Sequence, residues 1–167
     1  MQRRFAAELG LILATVIWGG TFVATRIGLG SVSPYVIIAV RFLISGLIAG
    51  LGLVVVRVHW WRRWREWLVL GLVLSVAYLT QTVGLQYTSA ARSAFITYLF
   101  AVFVPPLQVL LTKRRLVPAN LAGLAVVLAG ALVMTQPWRA AGWNPGDLIT
   151  LASAVAFALF VVLLDRF

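Results

Sequence analysis

Six side chains stand out, by type and by place, as able to hold or steer a solute: Trp18, Thr21, Tyr78, Gln81, Arg92 and Tyr98. Five of them are polar or aromatic residues inside or beside long uncharged runs. Ser75, Tyr78, Thr82 and Gln86 step by three and four, which on a helix makes one polar stripe, and Gln81 lies beside it. Ser93 and Thr97 share a face of the next run, with Tyr98 adjacent. A stripe of this kind inside a bilayer faces protein or a water-filled cavity, so interhelical hydrogen bonding and cavity lining both fit. Arg92 adjoins the stripe, and a guanidinium there would pair bidentately with a carboxylate, implying an anionic group on the solute. Arg26 and Arg41 lie near comparable helix ends, where snorkelling to headgroups or backbone carbonyls is the alternative role. Trp18 needs a partner for its indole N–H, or a wet cavity, and suits aromatic or amphipathic solutes; a packed core tryptophan is the other reading. Pro105 and Pro106 delete two helical hydrogen bonds and free the carbonyls of Ala101 and Val102, giving a hinge or a static kink. Gly46 with Gly50, and Ala125 with Ala129, are small-xxx-small pairs that let helices approach closely.

The elements that must position these residues follow from composition. Of 167 residues, 62% are hydrophobic and 11% charged, against about 45–50% and about 25% in soluble domains. Disorder is excluded by the apolar content. The absence of cysteine removes disulfide scaffolds, thiol chemistry and zinc–thiolate sites. The basic residues sit in short clusters between uncharged stretches, which argues against a nucleic-acid partner and for a lipid bilayer. Those stretches are Leu9–Thr25, Pro34–Val56 across Arg41, Trp67–Ala91, Ser93–Thr112, Leu116–Trp138 and Leu148–Leu164. Each approaches the roughly 20 residues a helix needs to span about 30 Å of hydrocarbon. None alternates as a barrel strand would. The expectation is an all-α polytopic bundle of six spans. Ser33-Pro34, Pro118 and Asn144-Pro145-Gly146-Asp147 are helix starts, and Pro137 a stop.

Orientation follows from Lys and Arg in short loops, which mark the cytoplasmic side. Arg3, Arg4, Arg57, Arg62, Arg63, Arg65, Lys113, Arg114, Arg115 and Arg166 lie on the side of the N-terminus, against Arg26, Arg41, Arg92 and Arg139 opposite. Both termini are therefore expected in the cytoplasm, in the inner membrane of the cell. Trp60, Trp61, Trp64 and Trp67 mark the cytoplasmic interface, and Trp138 and Trp143 the outer one. The Arg3-Arg4 start is read as a topology signal, because no cleavage motif follows it.

The order of short motifs resembles the EamA-type transporters of the drug/metabolite transporter superfamily. Trp18-Gly19-Gly20-Thr21-Phe22 resembles the family's "WG-x-x-F" opening, and Thr21 joins the candidate lining with Trp18. Ser33-Pro34 with Ala39-Val40-Arg41-Phe42 resembles its second-helix start, and Gly84-Leu85-Gln86-Tyr87-Thr88-Ser89-Ala90 its turn before the fourth helix. Pro105, Gly123 and Gly130 fit its fourth and fifth helices. Where many members carry a "GE-R" turn after that fourth helix, this chain has Lys113-Arg114-Arg115 and no acid. The resemblance implies ten helices in two inverted five-helix repeats. Residues 1–139 would be the first repeat, and 140–167 the first helix of a truncated second. An offset of 138 pairs Leu13 with Leu151, Ala14 with Ala152, Phe22 with Phe160 and Val23 with Val161.

The function this implies is alternating-access transport of a small metabolite or drug, anionic or amphipathic, by a fragment of a larger carrier. The missing second repeat, or a second copy, is the implied partner. The alternative is a half-size carrier or structural membrane protein that self-associates without transporting alone. An enzyme is not expected: the single histidine, His59, sits in a basic loop, and no paired acids face each other. No metal or cofactor is expected.

Overall fold

The apolar runs fold as helices because a chain in hydrocarbon must satisfy its backbone groups internally. The computed structural model describes residues 2–56, 63–113, 118–135, 142 and 144–167. They form α1 (Gln2–Gly28), α2 (Pro34–Val55), α3 (Trp64–Tyr87), α4 (Ala90–Tyr98), α5 (Phe100–Thr112), α6 (Pro118–Thr135) and α7 (Pro145–Arg166). Among the described residues, five stretches are long and apolar enough to cross a membrane: Ala7–Gly28, Pro34–Val55, Trp64–Tyr87, Ala90–Thr112 and Pro145–Arg166. The chain is thus a multi-pass helical membrane protein. The 18-residue α6 falls on the fifth expected span. His59, Trp60, Trp61, Pro137, Trp138, Arg139 and Trp143 lie outside the described residues.

The expected starts hold. Ser33 is the N-cap of α2, followed by Pro34, and Pro118 opens α6. Asn144 and Asp147 form a full capping box on α7: each side chain bonds the other's backbone N–H. The fourth expected span behaves differently. It breaks at Leu99, upstream of the two prolines, which lie inside α5. Leu99 donates to Ile96, and Val102 to Leu99, so the chain tightens to 3₁₀ spacing there. The proline ring crowds the carbonyl four residues earlier, at Ala101. The helix is interrupted just ahead of that crowded turn.

The core is a seam between α3 and α7, with α4 and α5 packed beside it. The buried face of α7 reads Gly146, Asp147, Thr150, Ser153, Ala154, Phe157, Ala158 and Val162, a helical spacing of one, three and four. The buried residues of α3 are Leu70, Ala77, Gln81, Thr82, Gly84 and Leu85. The closest approach lies at two glycines. A Cβ on Gly84 would stand 2.8 Å from the Gly146 carbonyl oxygen, and one on Gly146 would stand 2.6 Å from the Gly84 carbonyl oxygen. Only glycine lets these backbones meet. The predicted pair Gly46 and Gly50 instead has nothing within 4 Å of either position.

Candidate functional site

Two clusters occupy different levels of the bundle. The upper one lies where α1 and α3 end and α4 and α7 begin. Asp147 is fully buried there. Its Oδ1 accepts from Thr88 Oγ1 at 2.9 Å. Its Oδ2 accepts from Arg92 Nη2 at 2.7 Å and from the Asn144 backbone N–H at 2.9 Å. Arg92 Nη2 also donates to the Gly142 carbonyl at 2.9 Å. A buried carboxylate is costly unless paired and hydrogen-bonded, and here both oxygens are engaged. The sequence supplies this locally: Thr88 follows the end of α3, and Ser89 caps α4 by accepting from the Arg92 N–H at 3.3 Å. Beside this clasp, Arg26 Nη1 donates to the carbonyls of Leu85 and Gln86 at 2.7 and 2.8 Å. These belong to the last turn of α3, whose carbonyls lack intrahelical donors.

The lower cluster is aromatic and lies about ten residues, or about 15 Å, further into α3 and α7. Tyr78 of α3 meets Phe157 of α7 edge-on, centroids 5.1 Å apart. Trp18 of α1 lies 6.2 Å from Tyr98 of α4, 6.2 Å from Phe100 of α5 and 6.3 Å from Phe157. Phe42 of α2 meets Tyr78 at 5.8 Å, and the Arg41 guanidinium lies over the Tyr78 ring at 4.3 Å. These distances suit edge-to-face and cation–π contact. Polar groups are interleaved. Gln81 Nε2 donates to Thr97 Oγ1 at 3.2 Å, both buried. The buried Trp18 Nε1 and Ser93 Oγ find no hydrogen-bond partner among the described residues. An orphaned donor beside three aromatic rings is what a site for a partly polar, partly aromatic guest requires.

Of the sequence-predicted residues, the structure brings Trp18, Tyr78 and Tyr98 into one cluster and places Gln81 against Thr97. Thr21 spends its hydroxyl within α1, donating to the Trp18 carbonyl at 2.6 Å. Arg92 is in the clasp, its charge paired with Asp147. Pro105 and Pro106 lie within α5, past the break. The α3 stripe divides: Thr82 is buried, Tyr78 half-buried, and Ser75 and Gln86 exposed. Sequence reasoning missed Phe100 and Phe157, which carry no polar signal. It also missed the Arg92–Asp147 pairing, for which the capping position of Asp147 was the available sign.

The model of the EamA-like transporter family matches residues 5–136. Similar curated relatives include an uncharacterized transporter of Archaeoglobus fulgidus, 29% identical over 167 residues, covering 99% of this chain and 51% of the relative. Another is the aromatic amino acid exporter YddG of Ancylobacter novellus, 29% identical over 181 residues, covering 100% of this chain and 60% of the relative. The uncharacterized transporter YoaV of Bacillus subtilis is 23% identical, covering 74% and 44%. The chain spans about half the length of these relatives. No solved structure gave a significant match.

Proposed function

We propose a solute-binding role for the aromatic cluster, from the premise that the chain belongs to the EamA-like transporter family. Trp18, Tyr78, Gln81 and Tyr98 line the solute's path, joined by Phe100 and Phe157. The observation that carries this is the Trp18 indole N–H: buried, without a hydrogen-bond partner among the described residues, and ringed by aromatic side chains from other helices. The solute class is a small aromatic or amphipathic molecule with a hydrogen-bond acceptor. The name of the Ancylobacter relative, an aromatic amino acid exporter, supports that class. Arg92 acts here as a positioning residue, holding α4 to α7 through Asp147. Thr21 shapes the Trp18 turn. The break at Leu99 and the prolines after it form the hinge.

The working carrier pairs this five-helix repeat, residues 1–139, with a second repeat of opposite orientation begun by α7. It alternates access between the two sides. The length of the relatives, about twice that of this chain, supports the pairing. Both termini face the cytoplasm in this reading, which the bias of basic residues supports.

The test is flux of labelled phenylalanine in vesicles. We expect flux from the chain joined to the second repeat of the Archaeoglobus relative, and none from the 167 residues alone. Trp18→Ala and Tyr98→Ala should each lower that flux about tenfold, the scale of one lost hydrogen bond or ring contact of about 1.4 kcal/mol. Flux by the chain alone would falsify the two-repeat reading. Full activity of both variants would remove the aromatic cluster from the path.

A further inference from the structure

Beside the clasp, at the same end of the bundle, a cleft of about 390 Å³ opens between Arg26, Leu29, Gly30, Gln86 and Tyr87. That volume lies in the range of small-molecule sites, about 300–1,000 Å³. The arrangement of Arg26 is the informative part. Its Nη1 is spent on the Leu85 and Gln86 carbonyls, which pins the guanidinium to the end of α3. Among the described residues, no bond is made by the Nε and Nη2 edge. That edge is the fork that meets a carboxylate through two parallel bonds.

No carboxylate of the chain takes it. The four acids are Glu8, Glu66, Asp147 and Asp165. Glu66 pairs with Arg63, and Asp147 with Arg92. Glu8 and Asp165 lie toward the opposite ends of α1 and α7. The α3 carbonyls offset part of the Arg26 charge, so an anion held by that fork alone is weakly held. The exposed Tyr87 ring and Leu29 offer the apolar contact that makes up the difference.

We propose that this cleft binds the carboxylate of a small aromatic acid, gripped by the Arg26 fork with its apolar part against Tyr87. The site is separate from the aromatic cluster and, resting on the carrier reading above, is a station where the solute docks at the membrane face. The role that spacing suggested for Arg92 falls to Arg26, because Arg92 already has its carboxylate. The same anion chemistry could come from an acidic lipid headgroup, and the experiment separates the two.

The test is equilibrium binding to the 167-residue chain in nanodiscs of zwitterionic phosphatidylcholine, corrected with empty discs. The probes are phenylacetate and 2-phenylethanol, alike in ring and unlike in charge. Phenylacetate is expected to bind at least tenfold more tightly. Arg26→Gln should erase that preference, and Tyr87→Ala should weaken both probes. Arg26→Lys keeps a cation to hold the α3 end but lacks the fork, so it should fold, as judged by helical circular dichroism, and still lose most of the preference. A preference that survives both Arg26 variants overturns the proposal. So does its disappearance in discs containing anionic phosphatidylglycerol, which would assign the cleft to a headgroup. No flux is measured, so a failure here is distinct from failure of the transport reading.

Discussion

α2 and α7 are both 22 residues long, both strongly apolar, and both opened by a proline. Yet α7 buries eight residues against its neighbours, and α2 buries only Pro34. Hydrophobicity therefore does not choose which helix becomes core in a bilayer, since lipid is as apolar as leucine. What separates the two is a face of α7 that combines small residues with polar ones. On α7, Gly146, Ala154 and Ala158 admit close backbones, while Asp147, Thr150 and Ser153 are satisfied in place. Thr150 Oγ1 donates to the Gly146 carbonyl at 2.7 Å, and Ser153 Oγ to the Thr150 carbonyl at 2.6 Å. On α2, Leu43, Leu47, Ile48 and Leu51 are more than half exposed, and the small pair Gly46 and Gly50 meets nothing within 4 Å.

The largest test of this contrast is Asp147→Ala. It leaves the Arg92 charge without its carboxylate and should cost about 3–5 kcal/mol of stability. Unfolding in mixed micelles would measure it, and Asp147→Leu with Arg92→Met should recover most of the loss. A cost below that of any α2 substitution would break the comparison. Next is Gly146→Val, which drives a side chain into the Gly84 carbonyl and should cost about 1–3 kcal/mol or more. Gly46→Val and Gly50→Val on α2 should stay within about 0.5 kcal/mol in the same assay. Arg41→Met should cost about 0.5–1 kcal/mol through the lost stacking of α2 on Tyr78. Quenching of Tyr78 fluorescence would report whether the ring is released. Smallest is Gln81→Leu, expected at about 0.6 kcal/mol, the average for one hydrogen bond between membrane helices. A value several times larger would place Gln81 in a wider polar network than its bond to Thr97.

The spans were legible because hydrocarbon imposes length and apolarity directly on sequence, and the starts because prolines and caps act locally. Asn144 to Asp147 gave the α7 start in full. The pairing of helices was not legible, because it depends on a few small residues that look alike in one dimension. Gly46 and Gly50 have the spacing of a contact and face open space, while Gly84 and Gly146 meet and share no spacing at all. In the candidate site, the aromatic and polar members of α1, α3 and α4 could be read from their isolation in apolar runs. Phe100 and Phe157 could not, being two among nine phenylalanines. The Leu99 break is displaced from the prolines because a helix relieves crowding in the turn before the ring.

The Arg92–Asp147 bond also has a place in time. A chain is made from its N-terminus, so Arg92 enters the membrane with α4 while its counter-ion is still three helices away. Until α7 arrives, that guanidinium must be met by water, headgroups or backbone at the bilayer edge. When Asp147 arrives, it brings the capped end of α7 with it, and the ion pair fastens α7 to α4, made three helices earlier. The order of synthesis thus leaves a cation near the surface until α7 supplies the carboxylate that lets it settle inward.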